Sequence, residues 1–144
     1  MNHPQNLDEA FIALLKDRGE RVTAPRLAIY RLLSRSGPLP KSRLCQRAKD
    51  DGIDTVTVYR TIALFRSLGL AREIGVGSRR LLELTDDFGG HHHHFWCSKC
   101  GRITDFDDTQ LETAIIAAGR NLGITVLAHQ VEITGQCGQC TQLA

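Results

Sequence analysis

Four of the five cysteines fall into two identical spacings, Cys97-x-x-Cys100 and Cys137-x-x-Cys140. Four consecutive histidines, His91-His92-His93-His94, run almost directly into the first pair. Two thiolates on one tight turn can share an ion. Two such turns supply the four ligands of a tetrahedral zinc with Zn–S bonds of ~2.3 Å. A site closed by four thiolates has no open position, so its role would be structural. The alternatives are a redox pair or idle thiols. The 36 residues between the knuckles exceed the span of a compact zinc ribbon, so the cross-link would tie an early hairpin to the chain's end. Cys45 is unpaired within a helical pattern and reads as a small buried hydrophobe.

The histidine run is read as the start of a strand, His91–Cys97, in which successive side chains point to opposite faces. His92 and His94 then share one face, and His91 and His93 the other, so each pair could chelate its own metal. Glu83 and Asp105 are the candidates to complete the first pair. Glu112 and His129 are the candidates for the second. A site containing Glu83 would span the expected boundary between two halves, and a metal there would bias the angle between them.

The charge pattern supports two halves. Residues 1–85 carry 15 Lys+Arg against 9 Asp+Glu, and residues 86–144 carry 3 against 7, with five of the six histidines in the second half. A basic half suits a polyanion, and an acidic, histidine-rich half suits cations. The segmentation follows: residues 1–85 as one domain, 86–90 as a hinge, and 91–144 as a metal-binding dimerisation domain. No run of about 18 apolar residues is present, which argues against a membrane span. The segment MNHPQNLDEAF lacks the features of a secretory leader, so the expected location is the cytoplasm.

The first half is predicted as helices over Asp8–Arg18, Thr23 to Ser36, Lys41–Asp50, and Asp54 or Thr55 to Gly69. Thr23 is the cap and Pro25 lies in the first turn of the second helix. Two short strands, Ala71–Ile74 and Arg79–Leu84, then flank a loop at Gly75-Val76-Gly77-Ser78. This order is that of a winged helix-turn-helix, with the fourth helix in the major groove and the hairpin as the wing. Val58, Ile62, Phe65 and Leu68 share one arc of that helix. Tyr59, Arg60, Ala63, Arg66 and Ser67 share the other. The outer arc reads either as a DNA contact surface or as a solvated face. Arg79 and Arg80 on the wing, with Lys41 and Arg43 at a helix start, favour DNA. The second half is predicted as strands His91–Cys97 and Arg102–Phe106, a helix Thr109–Leu122, and a strand Ile124–Thr134. The whole is an α+β chain, and its small second domain should need metal or a partner chain for stability.

Val22-Thr-Ala-Pro-Arg-Leu27, Thr57-Val-Tyr-Arg-Thr61, Glu83-Leu-Thr85 and His91-His-His-His-Phe-Trp-Cys-Ser-Lys-Cys100 resemble the ferric uptake regulator family, in order and over nearly the whole chain. The resemblance implies a homodimer that binds double-stranded operator DNA and represses metal-uptake genes when metal is bound. It implies a structural zinc on Cys97, Cys100, Cys137 and Cys140. It further implies a regulatory zinc or iron at Glu83, His92 and His94, with Asp105 a variable participant, and a second site at His91, His93, Glu112 and His129. Tyr59 and Arg60 match the DNA-contacting pair, and Thr57 belongs to the same motif. Two departures stand out. Many members take a histidine ligand from the loop after the second helix, whereas Ser36-Gly-Pro-Leu-Pro40 offers none. Iron-type members often carry Asp where this chain has His93, and the added nitrogen suits zinc.

A peroxide sensor of the same family, in which bound iron damages its own histidines, shares this ligand pattern. A zinc-stabilised DNA-binding adaptor without sensing is a further reading. A metallo-hydrolase is a third, but no HExxH or nucleophile motif is present to support an open catalytic metal.

Overall fold

Thr23 accepts the Arg26 N–H and opens the second helix, and Asp54 caps the fourth by accepting the Thr57 N–H at 3.0 Å. These caps, with glycine stops at Gly19, Gly37, Gly52 and Gly69 in the left-handed region, punctuate the first half into α1 (Pro4–Asp17), α2 (Ala24–Ser36), α3 (Lys41–Asp50) and α4 (Thr55–Ser67). The computed structural model describes residues 4–142, and the chain divides after Gly90 into two units. Among the described residues no helix is long and apolar enough to cross a membrane.

In the first unit, Phe11 and Leu15 of α1, Ile29, Tyr30 and Leu33 of α2, Leu44 and Ala48 of α3, and Val58, Ile62 and Phe65 of α4 form one buried cluster. Phe11 stacks on Tyr30 with ring centroids 4.3 Å apart and meets Phe65 edge-on at 5.5 Å. The wing is β1 (Ala71–Val76) paired antiparallel with β2 (Arg79–Leu84), Ala71 opposite Leu84 and Val76 opposite Arg79. Leu39 exchanges both backbone hydrogen bonds with Leu82, which ties the segment before α3 to the wing.

Several boundaries differ from expectation. Helix α1 begins at Pro4, four residues early. Strand β1 continues through Gly75 and Val76, because both keep their partners in the ladder, which leaves a two-residue turn with Gly77 at φ 58°. Residues 86–89 form one helical turn, α5 (Asp86–Gly89). Phe88 from that turn stands edge-on to Tyr30.

The second unit is a three-stranded sheet, β3 (His93–Cys97), β4 (Ile103–Phe106) and β5 (Glu132–Gly135), with α6 (Thr109–Asn121) between the last two and α7 (Gly138–Thr141) at its end. Strand β3 is central, antiparallel to β4 and parallel to β5. The strand predicted from His91 begins at His93, where pairing with Phe106 starts. The strand predicted over Ile124–Thr134 is a correction: only Glu132–Gly135 is strand. Among the described residues no ladder partner faces 124–131 within this chain. That segment instead folds back on α6, where a Cβ at Gly119 would stand 2.5 Å from Val126 Cγ2. The buried apolar side chains of this unit are, among the described residues, Cys97 and Cys140.

Candidate metal centres and nucleic-acid face

Strand β3 ends at Cys97, and the chain turns tightly there: Gly101 N–H donates to Cys97 C=O at 2.8 Å, with Gly101 at φ 72°. Pairing of Cys97 with Gly135 brings β5 alongside, and the second knuckle follows two residues later, its Cys140 N–H bonded to Cys137 C=O. All four Sγ atoms lie within 4.8 Å of one another, and those of Cys100 and Cys137 are 3.8 Å apart. A tetrahedron with ~2.3 Å bonds has edges of about 3.8 Å, so the donor set fits zinc.

The electrostatics point the same way. Backbone N–H groups of Cys100 and Cys137 directed at its sulfur hold the Cys97 thiol down to about 6. Burial first, then the neighbouring sulfurs, pushes Cys140 up to about 12. Backbone N–H groups favour charge on these sulfurs and burial opposes it, and a bound cation would offset the second effect.

The histidine run divides. His91, His93, Glu112 and His129 converge, with ligand atoms within 4.8 Å of one another. Asp108 caps α6 by accepting the Gln110 and Leu111 N–H groups, which sets Glu112 in the first turn facing β3. Its Oε1 lies 2.6 Å from His93 Nε2, 3.1 Å from His129 Nε2 and 3.2 Å from His91 Nε2, while His91 and His129 face each other Nε2 to Nε2 at 3.2 Å. Burial opposes charge on Glu112, yet the hydrogen bonds from His93, His129 and His91 prevail and hold its carboxyl at about 2. The carboxylate favours an N–H on every ring, but two N–H groups cannot point at each other between His91 and His129. A cation among the four removes the conflict. Tetrahedral bonds of ~2.1 Å imply edges of about 3.4 Å, against 3.1 to 3.2 Å for three of these contacts and a shorter 2.6 Å for His93 with Glu112.

His92 and His94 pack ring against ring, centroids 4.9 Å apart. Asp105, opposite His94 in the β3–β4 ladder, approaches His94 Nδ1 at 3.1 Å, and that hydrogen bond lowers the Asp105 carboxyl below its usual range. Glu83 belongs to the first unit. It sits on β2 opposite Arg72 and accepts the Arg72 Nε–H at 2.7 Å, while Arg72 Nη2 donates to Asp86 at 2.7 Å.

On α4, Val58, Ile62 and Phe65 are buried, and Tyr59, Arg60, Ala63, Arg66 and Ser67 are exposed. Thr57 is half-buried and its hydroxyl donates to Asp54 at 2.6 Å, so it serves the cap. Arg79 and Arg80 are exposed on the wing. Sequence reasoning did not single out Arg21 or Arg26, the latter paired with Glu20 at 3.1 Å. With Thr23, Thr57, Arg60 and Thr61 they line a pocket of about 330 Å³ beside α4. The available signal was two arginines bracketing the Thr23 cap. Lys41, read as a phosphate contact, is paired with Glu73.

The sequence profile of the ferric uptake regulator family matches residues 17–134. The peroxide-responsive repressor PerR of Staphylococcus epidermidis is 34% identical over 140 residues, covering 93% of this chain and 90% of its own. The ferric uptake regulation protein of Legionella pneumophila is 33% identical over 131 residues, 88% of this chain and 95% of its own. The solved structure of the Helicobacter pylori ferric uptake regulator shares the fold, with a TM-score of 0.77 at 22% identity over 97% of this chain and 95% of that one.

Proposed function

The chain belongs to the ferric uptake regulator family, and from that premise we propose that it is a dimeric repressor of metal-uptake genes. In this reading zinc or iron at Glu83, His92, His94 and Asp105 switches on its binding to double-stranded operator DNA. The family's members are metal-responsive transcription regulators, and nothing in this reading calls for catalysis. The observation that carries the proposal is the partition of one histidine run. His91 and His93 turn toward Glu112 and His129, while His92 and His94 pack together on the side of Asp105. A zinc on the four cysteines is the structural element, and a second divalent ion among His91, His93, Glu112 and His129 braces the sheet against α6. The H. pylori relative is described as having three functional metal-binding sites.

Because Glu83 precedes the boundary at Gly90 and the histidines follow it, one ion gripped by both would restrict the angle between the DNA-reading unit and the pairing unit. A ligand shifts such an equilibrium by its differential affinity for the two arrangements. The pairing surface in this reading draws on the second unit's exposed apolar side chains, Ile116, Leu122, Ile124, Leu127 and Ile133, the last on the edge strand β5. So many on so small a unit suit a second copy of the chain. The complex would act where the DNA is, in the cytoplasm.

The test is operator binding titrated separately with Zn²⁺, Mn²⁺ and, without oxygen, Fe²⁺, the four-cysteine zinc left in place. Binding that ignores all three and also ignores chelators would leave only the adaptor reading. A second reading, peroxide sensing, is favoured by the S. epidermidis relative. It predicts that hydrogen peroxide releases the iron-loaded protein from DNA and adds oxygen to a histidine-bearing peptide by mass spectrometry, and that the zinc-loaded protein is spared.

DNA recognition is assigned to Tyr59, Arg60 and the wing residues Arg79 and Arg80, with Thr57 holding the helix start. Arg60→Ala is expected to lower operator affinity by about 10- to 100-fold in fluorescence anisotropy, with zinc content and dimer mass unchanged. If it unfolds the chain instead, Arg60 is structural.

A further inference from the structure

Three elements of the nucleic-acid face meet at one carboxylate. Glu73 lies on β1, and its Oε1 receives the Lys41 ammonium from the first turn of α3 and Arg66 Nη1 from α4 at 3.2 Å. Arg66 stands seven residues, two helical turns, beyond Tyr59 on the same exposed face. The Glu73 side chain is 18% exposed, against 35% for Lys41 and 51% for Arg66. The acid is thus fixed in place and the two cations are folded down onto it. Its carboxyl lies below the usual range, through Lys41 first and then Arg66, with a contribution from Arg80 across the wing.

Every free cation on such a face adds affinity for any duplex, because phosphate contacts release counterions regardless of sequence. A cation already matched to an internal carboxylate adds little. We propose that Glu73 is a charge clamp that withholds Lys41 and Arg66 from the phosphate backbone and so limits sequence-independent DNA binding. Arg60 on the same helix makes the productive contact in this reading. Specificity needs such subtraction as much as it needs contacts to bases. The inference rests on α4 being the DNA-contacting helix.

Glu73→Gln tests it, since the amide keeps the size of the side chain while the charge is gone. The probe is a random-sequence duplex, bound by the full metal-loaded chain across a salt series. The expected result is affinity raised roughly tenfold, with a salt slope steeper by up to about 1.8 per protomer, two phosphate contacts at ~0.9 each. Adding Lys41→Gln and Arg66→Gln to that variant should reverse the gain. In the otherwise unaltered chain, Lys41→Gln should leave the slope where it was, which keeps the proposal testable if Glu73→Gln fails to fold. A slope that falls by about one unit in Lys41→Gln overturns the clamp, as does a folded Glu73→Gln whose affinity is unchanged or reduced. Arg60→Ala separates the two failures. If it weakens binding while Glu73→Gln is silent, the clamp alone is wrong. If both are silent, α4 is not the interface and both readings fall.

Discussion

Cys97→Ser or Cys140→Ser is expected to remove one zinc per chain and to unfold the second unit, with loss of the dimer. The reason is the composition of that unit's interior. Its buried apolar side chains, among the described residues, are these two cysteines, and the rings of His93 and His94 are buried as well. A domain of about 55 residues is marginal even with an ordinary apolar core. This one has candidate metal-ligand side chains, Cys97, Cys140, His93 and His94, where a core would be. Structural zinc in small domains contributes on the order of 10 kcal/mol to folding. Elemental analysis, analytical ultracentrifugation and amide hydrogen exchange would read the three consequences. Exchange should become fast across β3, β4 and α6 while α1 to α4 keep their protection, since the first unit has its own aromatic cluster. A serine variant that stays dimeric and protected without zinc would refute the four-thiolate site.

Metal-stimulated operator binding is expected to fall about 100-fold or more in His92→Ala/His94→Ala, with the dimer and the cysteine-bound zinc intact. Losing an outer-shell partner of a metal ligand typically costs 10–100-fold in affinity, and losing two ligands should cost no less. His91→Ala/His93→Ala should behave differently. It removes the rings gathered around Glu112, loosens the sheet from α6, and shows chiefly as lower thermal stability and one fewer bound divalent ion. The contrast between the two pairs tests the division of the run. If both pairs abolish the response equally and with the same loss of stability, the run holds one site and the partition is wrong. Asp105→Asn bears on the departure at Ser36–Pro40, because Asp105 already meets His94 at 3.1 Å and is the carboxylate at hand to stand in for the missing loop histidine.

Much of this was legible locally. A CxxC knuckle is a four-residue object, and the alternation expected of an extended segment sorts His91 and His93 from His92 and His94, although the strand itself begins at His93. The caps at Thr23 and Asp54 and the apolar arc of Val58, Ile62 and Phe65 are equally local, because each depends on residues within a turn or two. His129 could be named as a partner because it is the one histidine of the second half outside the run, whereas Glu112 is one of seven acidic residues there.

What the one-dimensional chain determined, then, was the inventory of ligands and the faces on which short segments present them. Tertiary structure alone decided where those faces meet. The parallel pairing of β5 on β3 sets Cys137 against Cys100, although 36 residues intervene. The same pairing ends at Glu132, which left residues 124–131 without a strand despite their apolar, β-branched sequence. Lys41 looked free for phosphate until β1 brought Glu73 beneath it. Periodicity and spacing report forces that act within a segment. A ladder, an ion pair or a metal shell joins residues distant in sequence, and its energy exists only once the chain has closed the loop between them.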